Sequence, residues 1–350
     1  MKVVLLSTGC IPVPPSGYSG LEQVVADLAE TLADRGHEIY VVCPDESTIG
    51  EGRDNIQPMK CGPCNGDARG WEAQALQKYA ALLLDPAFKD AVIHDHTWAK
   101  GIYLLKKDHP ELHVMSTLHG MLCYGSPPPV EKPCMAGISK KHADLMAQGL
   151  NIPVKFVYNG INLDRYPYRR PEEPDRYLFL ARMTQFKGAH VFADLMRFTQ
   201  QQGDLVGDDK MVEDQNYVSQ LKAFCEQNPV VKYWGGVSRE RAAQFFRHAK
   251  AYILPCSPEW QEPFGLTVIE AMASGCPVIA TKSGAIPELV IDGVTGILVD
   301  SIQDLPEIIN SGRICAIKSE DCRKRAEEFS RERMCTGYLE LYEQVLAGGW

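Results

Sequence analysis

The residues best able to do chemistry fall in two short stretches of the second half of the chain. The first reads Leu180-Ala181-Arg182-Met183-Thr184-Gln185-Phe186-Lys187-Gly188. It sets two cations directly after an apolar run. A guanidinium gives planar hydrogen bonding to phosphate oxygens, and an ammonium gives a compact charge. At about 4 Å and an effective dielectric near 20, each would attract one phosphate charge by on the order of 4 kcal/mol. That suffices to stand in for a metal ion on a leaving diphosphate. The second stretch runs from Ser257 to Ala280 and reads SPEWQEPFGLTVIEAMASGCPVIA. A loop rich in Pro and Gly enters a helix that carries a carboxylate, and a buried strand follows. The helix start near Gly265-Leu266 offers free backbone N–H groups and a positive dipole end, an arrangement suited to phosphate. Glu262 precedes that helix and Glu270 lies within it, among Ile269, Ala271 and Met272. Two carboxylates beside an anion repel it unless they bind something else, and ribose or sugar hydroxyls are natural donors to them.

The surrounding pattern says how such residues are held. Residues 2–7 are a continuous apolar run, as in a strand covered on both faces. A Gly/Pro loop follows, then a helix on which Leu21, Val24, Val25, Leu28 and Leu32 recur at helical spacing, opened by a Ser19/Glu22 capping box. Gly36 ends it and Ile39–Cys43 reads as the next strand. Strand, helix, strand is a βαβ unit and implies a parallel sheet. Further strands are expected at 91–93, 114–118, 135–138 and 154–158, and residues 44–70 read as an irregular insertion. A second run of units begins near Tyr177, with strands at 177–180, 231–234, 251–254, 278–280 and 297–299. Helices are expected at 239–249, 266–273 and 333–346. The expected domains are 1–165 and 166–330, with a hinge near 162–175 and a final helix in 331–350 that packs back on the first domain. Open α/β sheets bind ligands beyond the C-terminal ends of their strands. The Gly17–Gly20 loop, His94-Asp95-His96, His119 and Arg182–Lys187 all fall at such ends.

The ordered set of motifs resembles the retaining glycosyltransferases of family 4. Arg182…Lys187-Gly188 and the E-x7-E pair Glu262/Glu270 carry the resemblance. So do the opening PPSGYSGLEQVVADLAETLADRGHEIYVV, the connection Asn159-Gly160-Ile161-Asn162, and the closing Gly284–Val290 and Gly293–Gly296. It covers residues 1 to about 346. It implies the GT-B fold, an α/β architecture of two Rossmann-like domains whose parallel sheets face across a cleft, with domain closure gating the chemistry. Carried over by position, Arg182 and Lys187 neutralise the donor diphosphate, joined by Gly20, Gly265 and Leu266. Glu270 takes the ribose hydroxyls, and Glu262 those of the transferred sugar with help from Phe264. Gly236 and Val237 meet the base, and His119 lies near the reacting centre as a catalytic residue with Glu262. The implied reaction moves a hexosyl unit from a UDP-, GDP- or ADP-linked sugar to a hydroxyl of a sugar, lipid or small-molecule acceptor. It retains anomeric configuration and needs neither a metal nor a separate cofactor. The span from Phe192 to Tyr217 is compressed against the family pattern, and Ser283-Gly284 stands where two glycines are commoner.

Other classes fit less well. The net charge of −9 gives no basic footprint for nucleic acid. No run approaches the ~18 apolar residues of a membrane span. Gly9-Cys10 has the shape of a lipoprotein signal end, but the apolar run before it is too short. Twelve scattered cysteines, several in apolar strands, read as small hydrophobes in a reduced, cytoplasmic protein. His94 and His96 would alternate to one side of a strand end without an evident third metal ligand. Cys61 and Cys64 form a lone C-x-x-C that would need Cys123 or Cys134 to hold zinc. Trp98–Lys107 reads as an ordinary amphipathic helix with a basic end rather than a membrane-surface helix. A nucleotide-sugar epimerase and a non-catalytic nucleotide-sugar-binding protein are the competing functions. The chain has neither the D-x-D of metal-dependent transferases nor a G-x-G-x-x-G after its first strand.

Overall fold

The computed structural model describes residues 1–17, 19–64, 66–121, 127–168, 174–210, 212 and 214–350. They form two compact units, Met1–Gly160 with Arg331–Trp350, and Ile161–Ser330.

The first unit holds β1 (Lys2–Leu6), α1 (Leu21–Asp34), β2 (Glu38–Cys43), β3 (Ile56–Lys60), α2 (Ala68–Leu83), β4 (Val92–Asp95), α3 (Ile102–Asp108), β5 (His113–Thr117), β6 (Cys134–Gly137), α4 (Lys140–Leu150) and β7 (Lys155–Phe156). The seven strands form one parallel sheet in the order β3-β2-β1-β4-β5-β6-β7. β1 is central, and Val3, Val4 and Leu5 are fully buried. Cover on both faces is why this strand reads as an unbroken apolar run.

Two expectations fail here. Residues 44–70 are not wholly irregular: Ile56–Lys60 pairs in parallel with β2 as the sheet edge, with Pro58 in its middle. Proline cannot donate to a ladder, so an edge is where a strand tolerates it, and the same residue hides the strand from a pattern search. The capping box is also absent. Gly20 is the N-cap of α1, and the Glu22 carboxylate instead accepts from the side chains of Ser19 and Thr8.

The second unit holds β8 (Arg176–Leu180), α5 (Ala189–Thr199), β9 (Gly203–Val206), α6 (Gln215–Gln227), β10 (Val231–Gly235), α7 (Arg239–His248), β11 (Ala249–Leu254), α8 (Leu266–Ala273), β12 (Val278–Thr281), α9 (Ile286–Leu289), β13 (Gly296–Val299), α10 (Leu305–Ser311) and α11 (Ser319–Ala326). Its parallel sheet runs β10-β9-β8-β11-β12-β13. The span that reads as compressed is complete. α5 ends at Gln200, whose φ of 54° turns the chain, and β9 begins three residues later between β8 and β10. Phe192, Met196, Leu205 and Tyr217 join one core with Tyr177 and Phe179.

The last helix, α12 (Arg331–Leu346), belongs to the first unit. Arg331 reaches Glu30 of α1 at 3.0 Å, Arg35 donates to the Glu332 carbonyl at 2.7 Å, and Tyr338 and Tyr342 are fully buried.

Candidate active site

In the second unit the strand order reverses between β8 and β11. A crevice opens at such a point because the two outgoing chains turn opposite ways. The loop after β8 carries Arg182–Gly188 and the loop after β11 carries Pro255–Gly265. They touch. Ser257 N donates to Phe186 O at 2.9 Å. Gly188 has φ +80°, and a Cβ there would lie 2.0 Å from Pro255 O, so only glycine lets the loops pass.

This crossing brings Lys187 to Glu262. Their side chains form an ion pair and hydrogen bond through Glu262 Oε2, and both are largely buried. Trp260 Nε1 donates to the same oxygen at 2.9 Å. The Trp260 ring stacks on Phe186 at 5.4 Å and 24°, and Lys187 Nζ stands 5.4 Å from its centroid. The Glu262 backbone is fixed from a third side. Glu262 N donates to Ser283 Oγ at 3.2 Å, Ser283 Oγ donates to Trp260 O at 2.6 Å, and Ala285 N donates to Glu262 O at 2.9 Å. Ser283, a departure from the family pattern, thus ties down the carboxylate loop. Gly284 beside it has φ +51°, and a Cβ would come within 2.2 Å of Glu262 O.

α8 starts at Leu266 with Gly265 as N-cap, directly after buried Phe264. The helix begins four residues after Glu262. At its second residue, Thr267 Oγ1 meets Tyr252 OH at 2.8 Å. Glu270 is 2% exposed and lies 3.7 Å from Arg239 Nη1. Arg239 opens α7 just after Gly236, which is exposed, and Val237, which is half-buried. Arg182 stands exposed at the end of β8, and among the described residues its guanidinium has no hydrogen bond or ion pair. So Lys187 and Glu262 meet at the crossing, Gly265 and Leu266 follow Glu262 at the start of α8, Glu270 pairs with Arg239 beside the 236–237 turn, and Arg182 is held by its backbone alone.

The first unit contains a separate cluster at the ends of β4 and β5. His96 Nδ1 lies 2.8 Å from His119 Nε2. The His94 ring lies against His96 with centroids 3.9 Å apart and planes tilted by 40°, and its nitrogens meet Tyr342 OH at 2.7 Å and Thr117 Oγ1 at 2.8 Å. Lys100 sits behind them, 6% exposed, with Nζ 3.8 Å from Asp95 Oδ2 and donating to Thr117 O at 2.9 Å. The helix expected in this stretch is there, with Ile102 and Tyr103 buried and Lys106 and Lys107 in its last turn, but it begins only at Ile102, and Lys100 is a buried cation before it. Burial above all, then the neighbouring positive groups, holds the imidazoles of His94, His96 and His119 well below the usual 6.5. Burial also lowers the Lys100 ammonium, opposed by Asp95 and Glu72.

Among the described residues no group of three His, Cys, Asp or Glu is arranged to hold a metal ion. Tyr18 of the opening loop and Cys123 of the conjectured zinc set lie outside the described residues. Burial raises the Cys43 thiol to about 11 and the Cys256 thiol to about 12, as suits packing residues rather than nucleophiles. No described helix is long and apolar enough to cross a membrane.

Residues 18–165 match the family model for Glycosyltransferase Family 4, and residues 161–332 match that for Glycosyl transferases group 1. The chain belongs to glycosyltransferase family 4. Solved glycosyltransferases share the GT-B type of fold along the whole chain. A sucrose-phosphate synthase from Thermosynechococcus elongatus is 19% identical, covers 100% of both chains and has a TM-score of 0.83. HepE of Anabaena, solved in complex with UDP-glucose, is 20% identical over 97% of this chain and 98% of that one, with a TM-score of 0.73. An uncharacterized glycosyltransferase of Methanocaldococcus jannaschii is 26% identical over 59% of this chain, and the match spans 58% of that relative's length. In this glycosyltransferase, motif reading found the charged residues and missed those that hold them. Trp260 stands two residues before Glu262, and that proximity was its signal. Ser283 and Arg239 come from distant segments, and no local spacing announces them; Lys100 follows Asp95 by five residues, but its burial is not written in that spacing.

Proposed function

We propose that the chain is a retaining, metal-independent hexosyltransferase that takes its sugar from a nucleotide diphosphate and passes it to a hydroxyl acceptor. The observation that carries this reading is the Lys187–Glu262 pair at the switch point of the second sheet, at the mouth of α8. A cation, a helix N-terminus and an adjacent carboxylate fit a diphosphate joined to a hydroxyl-rich ring. Arg182 and Lys187, with the Gly265 and Leu266 amides and Gly20, would neutralise the diphosphate. Glu262 with Phe264 would hold the sugar, Glu270 the ribose, and Gly236 with Val237 the base. His119 would donate a hydrogen bond to the reacting sugar. Charge that builds on the leaving diphosphate is then met by fixed donors, typically worth ~10²–10³ in rate for each one lost. The departing phosphate oxygen would take the acceptor proton, so no side chain need act as base. The buried Cys43 and Cys256 suit a cytoplasmic setting.

The test is a thermal-shift screen against UDP, GDP, ADP and their sugar conjugates with chelator present, followed by NMR of the product's anomeric proton. Native-state binding raises stability, so one nucleotide family should stand out. No shift with any conjugate, inversion at the anomeric carbon, loss of activity in chelator, or formation of an epimer without acceptor would each refute a stated part.

A further inference from the structure

His96 is fully buried, and its Nε2 has no hydrogen-bond partner among the described residues. Its other nitrogen faces His119 Nε2 at 2.8 Å. One proton lies between these two rings, and its position fixes both tautomers. If His119 were the donor, His96 would carry its own proton on Nε2, as a buried N–H with nothing to bond. If His96 is the donor, only a lone pair is left unpaired. Orphaned buried N–H groups are the rarer and costlier defect. The neighbourhood agrees. The His94 ring, packed against His96, is already committed. Thr117 Oγ1 donates to Tyr338 OH at 3.1 Å, so it accepts from His94 Nε2, and His94 Nδ1 accepts from Tyr342.

We propose that His96 is a positioning residue that donates its Nδ1–H to His119 Nε2 and so holds His119 as the Nδ1–H tautomer. His119 is half-buried, and its Nδ1 has no partner among the described residues. It therefore presents a hydrogen-bond donor, on a ring kept neutral, to whatever enters beside it. The role of that donor in sugar transfer rests on the function proposed above; the tautomer does not. A neutral N–H can stabilise an oxygen that gains charge, and it cannot serve as a proton-releasing acid.

The experiment is long-range ¹H–¹⁵N correlation NMR of the full chain labelled with ¹⁵N-histidine at pH 7.5, with His119 assigned from His119→Gln. The expected result is a protonated Nδ1 and a bare Nε2 on His119. In His96→Phe the signal should shift toward the Nε2–H form that free imidazole favours, and His96→Gln, whose amide can still donate, should restore the Nδ1–H form. A wild-type His119 protonated on Nε2, or a His119 pattern unchanged in His96→Phe, overturns the proposal. Should His96→Phe fail to fold, the wild-type spectrum alone decides. Where transfer is measurable, His96→Phe should lower kcat on the order of tenfold at nearly constant donor KM, with recovery in His96→Gln. A protein with no transferase activity would refute the proposed function and still leave the tautomer readable.

Discussion

Trp260 donates its indole N–H to Glu262 Oε2 at 2.9 Å, the oxygen that Lys187 also meets. One side chain therefore aims the carboxylate while its ring spans Phe186 and Lys187 on the opposing loop. Trp260→Phe keeps the stacking and removes the N–H. A hydrogen bond to a charged group is worth roughly 1.5–3 kcal/mol, so turnover should fall on the order of tenfold or more with the melting temperature little changed. Steady-state kinetics beside thermal melts check this.

Removing either member of the Lys187–Glu262 pair should have unequal effects on stability. Glu262→Ala leaves a lysine with a flexible stem that can reach water, so the fold should survive while turnover drops ~10²–10³-fold. Lys187→Ala leaves a carboxylate 7% exposed, still bonded by Trp260 but without its cation. It should lose turnover and some stability as well. Urea melts of both variants separate the cases, and equal stability loss would count against the asymmetry.

Glu270 is the buried partner of Arg239. Glu270→Gln keeps the shape and removes the charge. If Glu270 grips ribose hydroxyls, donor binding should weaken on the order of tenfold with a smaller change in kcat, as a titration with the nucleotide alone would read.

Lys100 is a buried cation whose ammonium reaches the Asp95 side chain and the carbonyls of Asp95 and Thr117. Lys100→Ala should destabilise the first unit by about 3–5 kcal/mol, because Asp95 is left buried without its counter-charge. Chemical denaturation checks it; a loss below about 1 kcal/mol would show that water replaces the ammonium.

The histidine cluster gives stability a pH dependence of known sign. In the folded chain His94, His96 and His119 titrate well below 6.5, while in the unfolded chain they titrate near it. Below 6.5 the unfolded state binds more protons, so stability is full above that pH and falls as pH drops toward the folded values. Each such histidine contributes a slope of up to about 1.4 kcal/mol per pH unit in that window. The facing groups are Lys100, Asp95 and His142 with Tyr338 and Tyr342 of α12. Melts between pH 7.5 and 5.5 should show the fall, with a shallower slope in His96→Phe.

The sequence alone determined the alternation of strands and helices, because burial on both faces of a parallel sheet writes long apolar runs such as Val3–Leu6 and Ala251–Leu254. It also determined the charged residues at strand ends, because their types and order are local. It did not show β3, where Pro58 interrupts the pattern at an edge, nor β9, whose Gly203 and Asp204 leave only Leu205 and Val206 as an apolar signal. Only the tertiary structure decided what holds the charges. Lys187 and Glu262 are 75 residues apart, Glu262 and Ser283 are 21 apart, and His94 meets Tyr342 across 248 residues. Such contacts depend on which strands lie side by side, and strand order is set by the packing of whole helices on whole sheets. No spacing within a motif contains that information.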